Sequence, residues 1–369
     1  MATIGAHPEM NNSKIQKLLF LMNLAVFSVI TYLVCLMLFK EDELTITDIT
    51  GAIESLLLLI HGALKLLTLH LQHDGVRDML EQTNHFWNIE EVEFEEERNE
   101  ISKFLKYMKT ILYYFMAFAC MPTIFFCFRP FLLHERVLVF NSYIPEFVPY
   151  FIMLLVEDYA FLIIYVACVS FDIFFATLVV LTKVQFLLLN QEIRRVVAIN
   201  IETDEDANVV RNKLKKCVDH HNFLLEFVKK INNTMSNAVL MYFLILIFSI
   251  CVEMFMLSNR KTVKEFFKYI FYSVSLSNEF VVFYCLPSQL LTSEAEESIY
   301  YVYDSQWYEN LSNTTKCIIN MISLRGQRKV FITAGKFVNL SMESCLAAYK
   351  TVFSYYMFLM TMQRKDDTK

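Results

Sequence analysis

Several ionisable side chains fall inside otherwise apolar stretches of this chain, among them Glu54, His61, Lys65, Asp172, Glu253, Glu279 and Lys350. A charge in hydrocarbon is costly, so such groups mark ion paths, ligand contacts or buried pairs. Asp172 is the most deeply placed of them by position. Tyr269 and Tyr272 form another notable pair, because residues three apart put two hydroxyl-bearing rings on one helix face. The adjacent His220 and His221 invite a metal reading. Neighbours on a helix point about 100° apart, and no carboxylate or Cys stands at ligand spacing, so no metal is expected. A polar helix face touching another subunit is the expected role of that pair.

Catalytic groupings are missing from the sequence. It has no Gly-rich phosphate loop, no His-Glu-x-x-His and no nucleophile elbow, so an enzyme and a resident cofactor are not expected. The nine cysteines are odd in number, contain no Cys-x-x-Cys pair and lie mostly in apolar segments. They read as small buried hydrophobes.

These residues must be carried by membrane helices. Of 369 residues 56% are hydrophobic and mean hydropathy is +0.39, whereas globular domains run about 45–50% apolar with Gly included. The net charge of −6 offers no basic face for a nucleic acid. A span needs roughly 20 apolar residues. Seven segments approach that length: 18–39, 49–71, 110–128, 151–181, 238–257, 269–291 and 341–363. The first is followed by acidic residues rather than a cleavage site, so it reads as a span and not a signal peptide.

Lys and Arg orient the bundle. With the N-terminus inside, segments 1–17, 72–109, 182–237 and 292–340 hold 21 of them, and the outer connections hold 10. The sequons at Asn11, Asn232, Asn310, Asn313 and Asn339 all fall on the inner side, where they would stay unglycosylated. An inside N-terminus and outside C-terminus reverse the orientation of a G-protein-coupled receptor. The Asp-Arg-Tyr and Asn-Pro-x-x-Tyr signatures of that class are also missing. A secondary transporter would show matching halves, and no internal repeat occurs.

The connections have distinct characters. The run NIEEVEFEEERNE reads as a solvated face or frayed helix. In 210–228, Val210, Leu214, Cys217, Val218, His221, Leu224, Leu225 and Val228 recur at three and four residues, the mark of an amphipathic helix with one buried stripe. Together with the polar continuation of the fourth span, it predicts a cytoplasmic helical layer. Loop 129–150, with Pro130, Pro145, Pro149 and several aromatics, predicts an ordered lid.

The C-terminal third carries a resemblance. Tyr284-Cys285, the tyrosine-rich approach to Ser305-x-Trp307-Tyr308, the amphipathic ITAGKFVNLSMES and a last span with Ser354-Tyr355 resemble insect odorant receptors. Upstream, FDIFFATLVVLTKVQFLLLNQEI and LKKCVDHHNFLLEF are similar to the same family's fourth span and cytoplasmic helix. The likeness covers most of 150–363. Pro287-Ser288 departs from it, because a Gly is usual after the Tyr-Cys pair.

The resemblance implies an all-α membrane protein of seven spans with cytoplasmic helices forming an intersubunit anchor. Residues 1–291 would hold spans one to six, the outer ligand pocket and the cytoplasmic loops. Residues 292–369 would hold the anchor segment and the pore-lining seventh span. It further implies an odorant-gated, non-selective cation channel of four subunits, made with a shared co-receptor, in the plasma membrane of sensory neurons. Lacking the co-receptor's long second cytoplasmic loop, the chain resembles a tuning receptor, whose partners are the co-receptor, membrane lipid and a small hydrophobic volatile. A gustatory-type receptor is the alternative; its last span carries Thr-Tyr…Gln-Phe, whereas here Gln363 precedes Arg364.

Aligned through Ser354-Tyr355, the family's pore closure falls on Phe358, Thr361 and Met362. The first and last of these lie four apart on one helix face. The pocket implied between spans two, three, four and six would draw on Ile53, Leu57, Met116, Cys120, Tyr159, Ile163, Tyr269 and Tyr272. Asp172 recurs in the family pattern, which implies a structural role at the base of the bundle. Glu54 is expected to approach the outer vestibule.

Overall fold

The computed structural model describes residues 14–40, 46–91, 94–133, 138–140, 142–199, 201, 203–259, 262–304 and 313–366. The helices are α1 (Lys14–Lys40), α2 (Ile46–Leu71), α3 (His73–Gln82), α4 (Glu95–Leu133), α5 (Tyr150–Val197), α6 (Asp204–Ser258), α7 (Val263–Glu279), α8 (Leu286–Asp304), α9 (Asn313–Gly326) and α10 (Met342–Asp366). Among the described residues, five apolar helical stretches are long and hydrophobic enough to cross a membrane: Lys14–Lys40, Asp48–Leu71, Tyr150–Val197, Asp204–Ser258 and Phe266–Tyr303. Of the other two expected spans, 110–128 lies within α4, and 341–363 falls on α10 but for its first residue.

The hydrophobic pattern explains the long helices. α5 is 48 residues of nearly continuous apolar chain, buried on several faces by Phe171, Phe175 and Phe186. α6 runs unbroken for 55 residues, joining the amphipathic stretch 210–228 and the span 238–257 in one rod. Its start carries a capping box: Thr203 accepts from the Asp206 amide, and the Asp206 carboxylate accepts from Thr203 N–H. The stripe is buried at Val210, Leu214, Cys217, His221, Leu224 and Val228. One core runs from Phe20 of α1 to Leu340, just before α10.

The acidic run opens α4, whose first turn holds Glu95, Glu96 and Glu97, where carboxylates favour the positive end of the helix dipole. α4 continues through Pro130 to Leu133, so the connection that follows starts later than expected; bilayer helices tolerate proline when neighbours satisfy the freed carbonyl. The described part of that connection is packed down. Ser142 Oγ donates to Glu157 Oε1 at 2.5 Å, Phe140 N–H donates to Glu157 Oε2 at 3.0 Å, and both Phe140 and Glu157 are fully buried.

At the other end of the bundle a polar helical layer forms. Asn190 Nδ2 donates to the Glu294 carbonyl at 3.0 Å and its Oδ1 accepts from Ser298 at 2.6 Å, clamping α5 to α8. His220 stacks on Trp87 at 4.1 Å and lies 3.1 Å from Gln185 Oε1, and His221 meets the Phe186 ring edge-on. The two histidines are thus buried within the subunit, against the expectation of an intersubunit face, because His221 belongs to the stripe that meets Phe186 of α5 and His220 is held between Trp87 and Gln185.

ITAGKFVNLSMES forms a hairpin, with β1 (Thr333–Ala334) antiparallel to β2 (Val338–Asn339), so the protein is not wholly α. Gly335 and Lys336 turn it at φ +62° and +63°. The hairpin is pinned to α6. Asn232 accepts from Thr333 N–H and donates to the Phe331 carbonyl, both at 2.8 Å, and the Ser236 carbonyl accepts from Gly335 N–H at 2.8 Å. The Asn232 sequon therefore uses its amide inside the fold. Asn11, Asn310 and the motif Ser305-x-Trp307-Tyr308 lie outside the described residues.

Candidate functional site

The centre of the bundle holds an ion cluster. Lys65 Nζ of α2 donates to Asp172 Oδ1 and Oδ2 of α5 at 2.7 and 2.8 Å, and to Glu279 Oε1 of α7 at 2.6 Å. An ammonium has three donors, so all are used, and Lys65 is fully buried. Tyr284 O–H donates to Asp172 Oδ1 at 2.5 Å. His61 Nε2, one turn before Lys65, lies 3.4 Å from Glu279 Oε1. The Phe171, Tyr242 and Tyr284 rings stand 5.6–6.0 Å from the ammonium. The acid expected to be structural thus has its cation.

A backbone irregularity makes the cluster possible. Between α7 and α8 the chain widens into a π-helical turn over Phe280–Cys285, closed by Leu286 N–H on the Val281 carbonyl. In an α-helix, residues five apart lie roughly 140° apart around the axis; the wider turn lets Glu279 and Tyr284 reach the same lysine–aspartate pair. It also precedes Pro287, which lacks an N–H and clashes with a regular preceding turn. The proline that departs from the family pattern thus follows the point where the helix is already wide.

Beside the cluster, α2, α6 and α7 line a narrow cavity of about 10 Å³, room for about one water molecule. Its walls include Glu54, Leu57 and His61 of α2, Glu253 of α6, and Tyr272 and Leu276 of α7. The first half of α2, the last turns of α6 and the second half of α7 meet here. Glu54 Oε2 is 3.3 Å from Lys268 Nζ. Glu253 is 1% exposed, and its Oε2 has no hydrogen-bond partner among the described residues. His61 belongs to both the cavity wall and the ion cluster.

Of the eight pocket residues anticipated from sequence, the cavity joins Leu57 and Tyr272. The others lie elsewhere. Ile53 is 38% exposed on the outside of α2, and Ile163 is core. Tyr159 donates to Asn23 Oδ1 at 2.7 Å, and Lys268 sits 5.0 Å from the Tyr269 ring centroid. Cys120 Sγ and the Met116 carbonyl both meet the Tyr165 hydroxyl, at 2.7 and 3.3 Å, in a separate α4–α5 contact. Sequence reasoning passed over Leu276 and Val252, whose apolar side chains carry no local signal distinguishing a cavity wall from core.

α10 is two-faced. Cys345, Ala348 and Val352 pack with Leu246, Ile250, Leu276 and Phe280, and the Phe280 and Tyr349 rings meet edge-on. The opposite face exposes Thr351, Ser354, Phe358, Thr361 and Met362, with Phe358 60% exposed. The hydroxyls of Thr351, Ser354 and Thr361 donate to carbonyls one turn back, at 2.8–3.0 Å, which satisfies them within the helix itself.

The family model described as 7tm Odorant receptor matches residues 45–353. Odorant receptor 13a of Drosophila melanogaster is 30% identical over 199 residues, covering 50% of this chain and 47% of that protein. Odorant receptor 22c of the same fly is 27% identical over 182 residues, covering 48% and 44%. Odorant receptor Or2 of Anopheles gambiae is 22% identical over 197 residues, covering 52% and 51%. The chain thus spans about half the length of the curated relatives it matches. The solved insect olfactory receptor OR5 from Machilis hrabei superposes with TM-score 0.81 at 12% identity, covering 98% of this chain and 95% of that one. Its complex with eugenol gives TM-score 0.79 at 13% identity and the same coverage. At that identity the likeness is one of fold.

Proposed function

Because the chain belongs to the 7tm odorant receptor family, we propose that it is the tuning subunit of an odorant-gated, non-selective cation channel. A small volatile binds within the helical bundle, and binding opens a tetrameric pore lined by α10. The chain works with the family's shared co-receptor in the plasma membrane of sensory neurons. Its seven spans are α1, α2, the apolar half of α4, α5, the second half of α6, α7 with the π turn, and α10. The N-terminus is cytoplasmic and the C-terminus extracellular. The layer built from the end of α5, the first half of α6, α8 and α9 is the anchor between subunits, and the division near 291/292 separates the ligand-binding spans from anchor and pore helix.

The observation that carries this reading is the contact chain from cavity to last helix. His61 links the cavity wall to Glu279, the π turn follows Glu279, and Phe280 of that turn packs against Tyr349 of α10. A ligand shifts a two-state equilibrium only through differential contacts with the two states, and this route connects such contacts to the exposed face carrying Phe358 and Met362. The eugenol complex of the Machilis hrabei receptor supports a ligand of volatile size.

The test is co-expression with an odorant receptor co-receptor and recording of currents evoked by a broad volatile panel. Non-selective cation currents are expected. Uphill coupled solute flux, or silence across the panel with surface expression confirmed, would overturn the reading.

A further inference from the structure

We propose that the outward face of α4, just before its apolar half, docks an anionic phospholipid of the inner leaflet with a multiply phosphorylated headgroup. Lys103, Lys106 and Lys109 hold the headgroup, and the tyrosines beside them sit at the membrane boundary. The choice of leaflet rests on the orientation proposed above; the binding itself does not.

The helix has two sharply different faces here. Ile101, Phe104, Leu105, Met108, Leu112 and Phe115 are buried or half-buried. Lys103, Lys106, Tyr107, Lys109, Tyr113 and Tyr114 are all exposed. At 100° per residue the second set falls within about 160° of the circumference. The same outward face continues into the expected span as exposed Met121, Ile124 and Phe128, kept in line by steps of three and four residues. An exposed apolar stripe of this kind marks a surface that meets lipid. The lysines therefore stand where that stripe leaves the hydrocarbon, among aromatics of the sort that populate membrane–water interfaces.

The charges suit a phosphate partner. From Ile101 to Leu133, α4 contains no Asp or Glu. The acidic run lies farther from the span and is partly engaged, Glu97 with Arg195 and Glu95 with Arg98. Glu100, one turn before Lys103, is the nearest acid on the helix. Among the described residues none of the three lysines makes an ion pair. Lys109 Nζ lies 5.8 Å from the Tyr113 ring centroid, on the side toward the span. Lysines clustered just cytoplasmic of a span are a recurrent form of anionic-lipid site.

Their spacing favours one headgroup of high charge. Residues three apart rise about 4.5 Å and turn back by about 60°, so three flexible ammonium groups can close on a single phosphorylated ring. Lysine suits this as a mobile point charge. A phosphatidylserine headgroup brings one net charge and leaves two lysines unmatched, and phosphatidylcholine brings none. A soluble acidic peptide would meet the lysines but leave the tyrosines and the apolar stripe unused.

The test measures binding of a fluorescent dioctanoyl phosphatidylinositol bisphosphate to the purified chain in detergent. Competitors are the unlabelled lipid, dioctanoyl phosphatidylserine, dioctanoyl phosphatidylcholine and free inositol trisphosphate. Phosphatidylserine should need at least about tenfold more than the unlabelled lipid to compete, and phosphatidylcholine should not compete. Free inositol trisphosphate competing as well as the lipid would overturn a membrane docking face in favour of a soluble polyanion site.

Variants are compared at equal unliganded melting temperature, since all the altered side chains are exposed. Lys103→Gln/Lys106→Gln/Lys109→Gln should weaken binding by roughly a hundredfold, about fivefold for each lysine near the charged surface. The corresponding triple Arg variant keeps the charge and should stay within about threefold. Lys213→Gln/Lys215→Gln/Lys216→Gln removes equal charge from α6, more than about 30 Å along the helix from its span. Several Debye lengths separate that site from the membrane, so affinity should hold within about twofold. A loss under about fivefold in the α4 Gln variant, or an equal loss in the α6 variant, overturns the proposal. Lysine-dependent binding with an epitope before α1 labelled on intact cells would uphold the site and overturn the inner leaflet. The expected epitope pattern without lysine-dependent binding would overturn the site and leave the orientation standing.

Discussion

Lys65 and Asp172, 107 residues apart in the chain, meet face to face in the bundle centre, with the ammonium within 2.8 Å of both carboxylate oxygens. Neither has water to fall back on. Removing one partner of a buried pair costs about 3–5 kcal/mol, because the other charge is left uncompensated. Lys65→Met, which strands Asp172 and Glu279 together, should therefore abolish or sharply reduce surface expression. The double substitution Lys65→Met with Asp172→Asn should recover part of it. Surface biotinylation reads both, and equal expression of wild type and Lys65→Met would show that the cluster is dispensable for folding.

Glu157 is the post to which the segment after α4 is tied, through Ser142 Oγ and the Phe140 amide. Glu157→Ala leaves two buried donors without an acceptor, at about 1–3 kcal/mol each. The expected outcome is faster limited proteolysis within residues 138–149 and a lowered melting temperature. Glu157→Gln, which keeps one acceptor oxygen, should fall between. An unchanged cleavage rate in Glu157→Ala would mean that the segment is held by its apolar contacts.

Gly335 stands at φ +62°, and a Cβ there would come within 2.3 Å of Leu240 Cδ2. A left-handed backbone costs an ordinary L-residue roughly 1–2 kcal/mol, and the contact adds to that. Gly335→Ala should destabilise the hairpin on α6, visible as a lower melting temperature of the purified protein. In Gly335→Ala/Leu240→Ala the clash is relieved while the backbone term and the lost packing of Leu240 on the core remain, so the double variant should be destabilised by less than the sum of the two single variants.

The proposed pore face makes its own prediction. Phe358→Ala should change basal leak or relative ion permeability of the co-expressed channel, because a hydrophobic constriction gates by dewetting. Surface expression should hold, since Phe358 makes no part of the described core. Unaltered permeation would return Phe358 to the lipid-facing surface.

Topology offers a direct check on orientation. An epitope after α10 should be labelled by antibody on intact cells, and one before α1 only after permeabilisation. The reverse pattern would invert the proposed bundle and place the Glu253 cavity on the cytoplasmic side.

Much of this architecture could be read from the chain alone, for a definite reason. Spans are long stretches whose hydrophobicity is a local sum, and the amphipathic stripe from Val210 to Val228 is a local period of three and four. Both survive folding because backbone hydrogen bonds in helices are satisfied within the segment itself. The resemblance to odorant receptors was likewise carried by short runs such as Tyr284-Cys285, and the family match over 45–353 agrees with it.

What the tertiary structure alone decided are the meetings between segments far apart. His61, Lys65, Asp172, Glu253 and Glu279 all looked misplaced in apolar stretches, and nothing local to any of them said which were partners. Lys65 finds Glu279 across 214 residues, aided by a π turn that hydropathy does not register. Glu253 is set apart because Lys65 was already taken and Lys268 turned to Glu54. The cavity followed the same logic: Leu57 and Tyr272 met there, while Met116 and Cys120 were drawn to Tyr165. Charge, size and period are properties of single segments, but the pairing of buried charges depends on which helix faces pack together, and only the folded chain settles that.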